Sequence, residues 1–426
     1  MRILLLGANG YIGRHLASAL LGAGHTICAA IRKPYQIQRR FPGIDAIACD
    51  LAQDLDPAIW LPRLDGIDAV VNAAGVLRGR GIASIHTDGP AALYRACLEA
   101  GIRRVVHISA ISADDDVGTD YARTKRAGEE ALRALDLDWV ILRPSLVYGR
   151  GSYGGTSLMR GLAGLPLILP LPGGGGQIFQ PIHMDDLART VCLAVEQPAL
   201  ARTTLEPVGP QTVTLAQIVR SWRSWLGLPP QREISIPKQI VRLAGRFGDL
   251  GGDGPLSTVA LKQLDYGNVG DPAAFETAIG FKPMGMEEAL QTYPATVQDK
   301  WHARLYALRP LLRLGLAGLW IASGLIGLLA PAETVSRIAL SMGLEAETGR
   351  VIGWASCLAD VLIGIGLLAR SRTPLLLAGQ LFLILGYTAV LSYAAAGLWL
   401  DPFGPLAKNL AVLLLVLIWA ALEDDR

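Results

Sequence analysis

Arg2-Ile3-Leu4-Leu5-Leu6-Gly7-Ala8-Asn9-Gly10-Tyr11-Ile12-Gly13-Arg14-His15-Leu16-Ala17-Ser18-Ala19-Leu20-Leu21 is the stretch whose reading decides the fold. Residues 2–6 form a short apolar run, as expected of a buried strand. The run breaks into the glycines Gly7, Gly10 and Gly13, and the segment from His15 to Leu21 reads as a helix. A strand, a glycine turn and a helix N-terminus in that order make a dinucleotide site. Gly7 permits the tight turn, Gly10 lets the backbone approach a pyrophosphate, and Gly13 lets the helix pack close to the strand. The amides and dipole of the helix then hold the phosphates. Gly7, Asn9, Gly10, Tyr11, Ile12 and Gly13 are therefore the candidate cradle. Their spacing is G-x-x-G-x-x-G rather than G-x-G-x-x-G.

Of the 426 residues, 51% are hydrophobic and 18% charged, and the mean hydropathy is +0.36. That length allows two or three domains. That hydropathy is high for a wholly soluble chain, so a membrane part is expected. A net charge of +2 gives no case for a nucleic-acid partner. The five cysteines (Cys28, Cys49, Cys97, Cys192, Cys357) are scattered, with no C-x-x-C. This argues against a metal or disulfide framework and fits a reducing compartment. The N-terminal apolar run is too short, and too interrupted by glycine, for a secretory signal.

Downstream of the glycine turn, Thr26–Ile31 reads as a second strand ending in Arg32-Lys33-Pro34. This strand end meets the adenosine ribose in a dinucleotide fold. An acid there favours NAD, whereas Arg32 and Lys33 suit the 2′-phosphate of NADP, with Arg14 in reach to assist. Ile44–Cys49 is a third strand, followed by Asp50-Leu51. Ile67–Val71 is a fourth, followed by Asn72-Ala73-Ala74-Gly75, small residues that let a flat cofactor lie across the strand ends. A helix from about Pro90 to Ala100, capped by Gly101, leads to a strand over Arg104–Ile108 and then Ser109-Ala110-Ile111-Ser112. Alternating strands and helices imply an α/β, doubly wound parallel sheet. Tyr121-Ala122-Arg123-Thr124-Lys125 opens a helix running to about Leu135. Tyrosine and lysine at i and i+4 share a helix face. A cation beside a phenol favours phenolate and lowers the tyrosine pKa, which suits Tyr121 to general acid–base work.

Together with Arg143-Pro144-Ser145-Leu146-Val147-Tyr148-Gly149, these segments resemble the short-chain dehydrogenase/reductases, in their extended and atypical branch. Val106-His107-Ile108-Ser109 and Gln180-Pro181-Ile182-His183-Met184-Asp185-Asp186-Leu187 look most like the subgroup related to the nucleotide-binding accessory subunit of respiratory complex I. The resemblance implies a Rossmann-type unit over residues 1–300, with its substrate side mainly in 150–300. It implies that Gly7, Gly10, Gly13 and Arg32 bind cofactor and that Asp50 and Leu51 contact adenine. It further implies that Ala73, Ala74 and Gly75 border the cofactor and that Pro144, Ser145 and Val147 flank the nicotinamide. Tyr121 and Lys125 would be the catalytic pair, Lys125 also holding the nicotinamide ribose. The family often has a serine pair after the fifth strand, the second serine carrying the catalytic hydroxyl. Here the pair is Ser109-Ala110, so that hydroxyl comes from Ser109 or Ser112 or is missing. In the complex I relative the nucleotide is structural.

His183 with Asp185 and Asp186 reads as a helix start at 185–196 whose acids favour the positive N-terminus, and no metal site is expected. Residues 235–250 place Lys238, Arg242 and Arg246 among Ile240, Val241, Leu243 and Ala244. This basic amphipathic helix either rests on anionic lipid or is a solvated face. From Leu311 the composition changes. Leu311–Leu329, Val351–Ala369, Leu375–Leu398 and Phe403–Leu422 are each near the length of about 20 residues that a span needs, which predicts an all-α four-helix transmembrane bundle. Lys300, Arg304, Arg309, Arg313, Arg370, Arg372 and Arg426 lie on one side, against Arg337, Arg350 and Lys408 on the other. This excess places both termini and the N-terminal unit in the cytoplasm, at the inner membrane. Asp360 lies mid-span, where ionisable groups are costly. It serves proton transfer, holds a substrate head group or makes a structural hydrogen bond. Trp399-Leu400-Asp401-Pro402-Phe403-Gly404-Pro405 followed by Lys408-Asn409 resembles the DoxX-like membrane family, over about residues 305–424. Trp399, Phe403 and Lys408 are also natural interface anchors.

The leading expectation is a membrane-anchored oxidoreductase using NADP, with NAD as the alternative, on a carbonyl or quinone-like group of a lipophilic small molecule. The bilayer, and a membrane complex or homo-oligomer, are the expected partners. The alternatives are a non-catalytic NADPH-binding scaffold or sensor of a membrane assembly, and a nucleotide-sugar epimerase or dehydratase, which usually uses NAD.

Overall fold

The computed structural model describes residues 1–113, 117–250, 256–341, 343–370, 373–402 and 404–423. Two compact units divide the chain, Met1–Arg304 and Leu305–Arg426.

Seven parallel strands make the sheet of the first unit: β1 (Arg2–Leu6), β2 (Thr26–Ile31), β3 (Asp45–Ala48), β4 (Ala69–Asn72), β5 (Arg104–Ile108), β6 (Asp138–Leu142) and β7 (Thr203–Leu205). Their spatial order is β7-β6-β5-β4-β1-β2-β3. Chain direction across the sheet reverses between β1 and β4, the switch point where α/β sheets open a crevice for ligands. The unbroken apolar run of β1 follows from burial on both faces. Ile3 and Leu5 enter one core layer with Leu16, Leu20, Leu187 and Val191. Leu4 and Leu6 enter the other with Trp60, Leu93, Cys97 and Leu132. Strands three and four are shorter than the sequence suggests. Ile44 and Ile67 instead close turns, their amides donating to Phe41 and Leu64 carbonyls.

Three helices of this unit matter for the site: α1 (Tyr11–Gly22), α2 (Gly89–Glu99) and α3 (Asp120–Arg133). A fourth, α4 (Met184–Glu196), packs on α1 and is capped by His183, which accepts from the Asp185 amide at 3.3 Å. Beyond the sheet, the helices Gly155–Gly164 and Leu215–Trp225 build a separate core around Trp222. There Arg160, buried, donates to the Gly149 carbonyl at 2.7 Å and lies over the rings of Trp222 and Trp225.

The second unit contains α5, which begins at Val297 in the first, then α6 (Ala332–Ser341), α7 (Ala346–Leu368), α8 (Thr373–Ala394) and α9 (Pro405–Glu423). Four of these, α5, α7, α8 and α9, are long and apolar enough to cross a membrane. α5 runs Val297–Leu329 with Pro310 inside it. At 1.5 Å per residue it is about 50 Å long, well over the roughly 30 Å hydrocarbon core. The predicted third span stops at Ala394, because Ala395 leaves helical geometry and Ala396–Trp399 forms a tighter turn. α6 is a helix the span count did not anticipate. Arg372, Phe403 and Arg426, used in the charge argument and the anchor reading, lie outside the described residues. Inside the bundle, Trp320 Nε1 donates to Gln380 Oε1 at 2.9 Å. Ser323 and Tyr387 hydroxyls donate to the buried Asp360 carboxylate at 3.1 and 2.8 Å. Of the roles open to Asp360, the structural hydrogen bond is the one visible in the fold.

A very tight contact in the first unit joins α1 to its turn. Gly7 has φ +72°, and a Cβ on Gly13 would lie 2.1 Å from the Gly7 carbonyl oxygen. Gly13→Ala is therefore expected to push α1 off the turn and destabilise the first unit by about 1–3 kcal/mol. A lowered melting midpoint together with weakened NADPH binding is the measurement that checks it.

Candidate functional site

The crevice at the β1/β4 switch point is bordered by the glycine turn. The Gly10 amide donates to the Gly7 carbonyl at 2.8 Å, closing the turn. α1 has no side-chain cap and no acid in its first turn, so its leading amides and positive end suit an anion. Asn9 Nδ2 donates to Gln36 at 2.9 Å, pinning the turn to the segment after β2. Arg32 and Lys33 end β2 exposed, and among the described residues neither makes an ion pair. Tyr11 buries a hydroxyl that lacks a partner among the described residues, and burial pushes it up to about 12. Ile12 packs on the core. Asp50 Oδ1 accepts from the Ala52 amide at 3.1 Å, and Leu51 is buried. These residues fit a dinucleotide: a turn that admits close backbone approach, amides for phosphates, and cations at the ribose end.

At the end of β4, buried Asn72 accepts from the Ala74 amide at 3.0 Å and donates to Tyr94 at 2.9 Å, which fixes Ala73-Ala74-Gly75. Lys125 reaches this loop from α3. Its Nζ donates to Ile108 O at 2.9 Å and Ala74 O at 3.4 Å, bridging the ends of β5 and β4. Burial draws the ammonium down to about 8, with Glu129 acting the other way. Tyr121, one turn earlier on α3, is half-buried. The i,i+4 pair thus lies beside the strand ends, but its electrostatics correct the sequence expectation. Lys125 is turned to backbone carbonyls, and burial raises Tyr121 to about 12 instead of the cation lowering it. A neutral phenol is a proton donor, so the site is set to give a proton rather than take one.

The two serines have different surroundings. Ser109 donates to Glu129 Oε1 at 2.5 Å. Glu129, fully buried, also binds Arg143 at 2.6 Å and Arg133 at 3.0 Å. The Ser109 hydroxyl is therefore committed to an ion cluster. Ser112 is buried, and among the described residues its hydroxyl has no partner. The Ser109–Ser112 loop lies against Pro144, whose carbonyl accepts the Ile111 amide at 3.1 Å. Ser145 Oγ is tied to Asn268 O at 2.6 Å, and Val147 pairs with Ile182.

His86 is the residue that motif reasoning missed. It sits in a single wide turn, Ser84–Asp88, ahead of α2. Its ring is edge-on to Tyr121 at 5.6 Å. Nε2 accepts from the Val76 amide at 3.0 Å, which puts the proton on Nδ1, 2.8 Å from Thr124 Oγ1. Burial, and then Lys125, draw it down to about 3, so it is a neutral wall of the site. Glu129 was missed too, although it continues the Tyr121–Lys125 face by one more turn.

The chain matches an NAD(P)H-binding family over residues 7–161 and a DoxX-like family over residues 317–417. A 3-diazoavenalumate denitrifying reductase of Streptomyces is 31% identical over 280 residues, 58% of this chain and 88% of that protein. A ceramide reductase of Caulobacter vibrioides is 29% identical over 251 residues, 58% and 77% of the two chains. The mitochondrial NADH-ubiquinone oxidoreductase 40 kDa subunit of Neurospora crassa is 24% identical over 331 residues, 71% and 84%. Among solved structures, a UDP-glucuronic acid 4-epimerase from Bacillus cereus with UDP-glucuronic acid and NAD shares the fold, with a TM-score of 0.53 and 19% identity, covering 72% of this chain and 100% of that one.

His86 also makes the stability of the first unit depend on pH. The folded ring stays neutral down to about 3, whereas an unfolded histidine takes a proton near 6.5. Between those values the unfolded chain binds the extra proton, so stability falls as pH falls. From pH 7 to 5 the loss is expected to be about 2 kcal/mol. Buried His107 is held neutral in the same way and keeps its own share of the loss, so His86→Gln should bring the denaturant midpoints at the two pH values closer without merging them.

Proposed function

We propose that this chain, which belongs to the NAD(P)H-binding short-chain dehydrogenase/reductases and carries a C-terminal DoxX-like domain, is a membrane-anchored oxidoreductase that reduces a carbonyl or quinone-like group on a lipophilic small molecule. The observation that carries this reading is Tyr121 beside the strand ends that Lys125 bridges, with the phenol protonated. When bound, NAD(P)H supplies the hydride. Tyr121 Oη gives its proton to the substrate oxygen as negative charge builds there. The Lys125 ammonium, at the same helix face, offsets the charge left on the phenol. Ser112, rather than Ser109, is the hydroxyl free to hold the oxygen. Neutral His86 closes one side of the site without competing for the proton.

Arg32 and Lys33, exposed and without carboxylate partners among the described residues, support NADP over NAD. A ceramide reductase among the relatives supports a lipophilic substrate, as does the fusion to helices that can cross a membrane. The basic flank of the first span supports a cytoplasmic N-terminal unit at the inner membrane. A second reading, a nucleotide-binding scaffold of a membrane assembly, draws on Ala110 and on the engagement of Ser109 by Glu129. The likeness to the complex I subunit also favours it. A nucleotide-sugar epimerase draws only on a shared fold, and the Arg32 end of β2 speaks against it.

Detergent-purified full-length protein, given NADPH or NADH with a lipid extract or a short-chain quinone, is expected to consume NADPH in preference. Tyr121→Phe should lose at least about a hundredfold of that turnover. Ser112→Ala should lose about a hundredfold, while Ser109→Ala keeps most of it. Turnover should fall as pH rises past about 8, where Lys125 sheds its proton. Tight NADPH binding with no turnover in any variant would favour the scaffold.

A further inference from the structure

The helix Lys238–Leu250 has two faces with different occupants. Its inner face packs on the helix Thr258–Tyr266, with Gly245 buried against Leu261. Its outer face carries Ile240, Leu243 and Phe247 at 58%, 53% and 66% exposure. At 100° per residue these three fall within an arc of about 60°. Arg246 and Arg242 follow on one side of that arc, exposed, and among the described residues neither has an ion pair. A solvated helix face would not line up three large apolar side chains. An apolar stripe flanked by arginine is what an interfacial helix presents to a membrane.

The helix pair is fastened to the rim of the Tyr121 site at two points. Arg78, in the loop after β4, donates to Asp249 Oδ1 at 2.8 Å and to Gly248 O at 3.2 Å. From the second helix, Gln263 Nε2 donates at 2.9 Å to Thr119 Oγ1, the N-cap of α3, and Lys262 donates to Gly118 O at 3.3 Å. The outer stripe is therefore held on the same support as the catalytic helix.

We propose that the outer face of this helix lies on an anionic bilayer surface, with Ile240, Leu243 and Phe247 in the headgroup–acyl boundary and Arg242 and Arg246 on lipid phosphates. A lipophilic substrate then leaves the membrane beside the Tyr121 cleft; this last clause rests on the reductase reading above. The bilayer is preferred to a second copy on charge. A two-fold contact sets the same patch against itself, which would bring two positively charged patches together. The membrane-crossing helices of the same chain keep a bilayer at high effective concentration.

The test uses the full chain, with the photo-crosslinker benzoylphenylalanine at position 247, in single-copy nanodiscs of phosphatidylcholine with phosphatidylglycerol. Size exclusion and an unchanged melting midpoint establish the fold. Irradiation is expected to yield a lipid adduct, and Arg242→Gln and Arg246→Gln should each lower its yield by about fivefold. No lipid adduct in the folded protein, or a protein–protein adduct, overturns the proposal. An adduct equally abundant in pure phosphatidylcholine and indifferent to both substitutions overturns it as well. The adduct is read without turnover. Its absence leaves the reductase reading standing, and its presence in a protein without turnover would sink that reading alone.

Discussion

Lys125 Nζ is buried and holds two backbone carbonyls, Ile108 O at the end of β5 and Ala74 O just after β4. This contact ties α3 to the sheet and sets the floor of the crevice. A buried ammonium is costly unless its protons are all directed at acceptors. Gly75 leaves the room it needs, since a Cβ there would lie 3.1 Å from Nζ. One turn further along α3, Glu129 supplies the opposing charge and gathers Arg143, Arg133 and Ser109. After burial, the Lys125 ammonium also bears on His86 and helps keep it neutral. Tyr121 then stands at the rim of a fixed polar frame, a neutral phenol that burial makes harder still to ionise.

Much of this was legible in the chain. An unbroken apolar pentad before three glycines is sufficient for a strand buried on both faces and a helix packed on a tight turn. The α/β alternation and the four long apolar segments follow from period and length alone. Spacing located Tyr121 and Lys125 on one face. It could not say where the lysine points, so the sign of the Tyr121 shift came out reversed: the acceptors are carbonyls of strands distant in sequence. His86 was hidden because residues 75–89 have no periodicity, and the wide turn that brings His86 to Tyr121 depends on packing against α3. The ends of the third span were misplaced because Ala395 and Gly397 are no less apolar than the helix they terminate.

The second unit follows different physics. In lipid, apolar contact gives little preference for one helix arrangement over another, and packing and hydrogen bonds must specify it. The buried Trp320–Gln380 bond and the part-buried Ser323 and Tyr387 bonds to Asp360 link α5, α7 and α8. Arg309 and Arg313 meet Glu423 of α9. A bundle so specified can serve as an anchor, and the chemistry argued for the first unit makes no demand on it beyond keeping the protein at a bilayer.

The central claim is hydride delivery to a lipid-borne carbonyl with a proton from Tyr121. Stereospecifically deuterated NADPH, incubated with the full-length protein in nanodiscs and a total lipid extract, tests it most directly by mass spectrometry of the lipids. The account predicts deuterium on a carbon bearing a new hydroxyl, from one face of the nicotinamide only, and none with Tyr121→Phe. Lipids free of deuterium, with the cofactor recovered unoxidised from the protein, would contradict it.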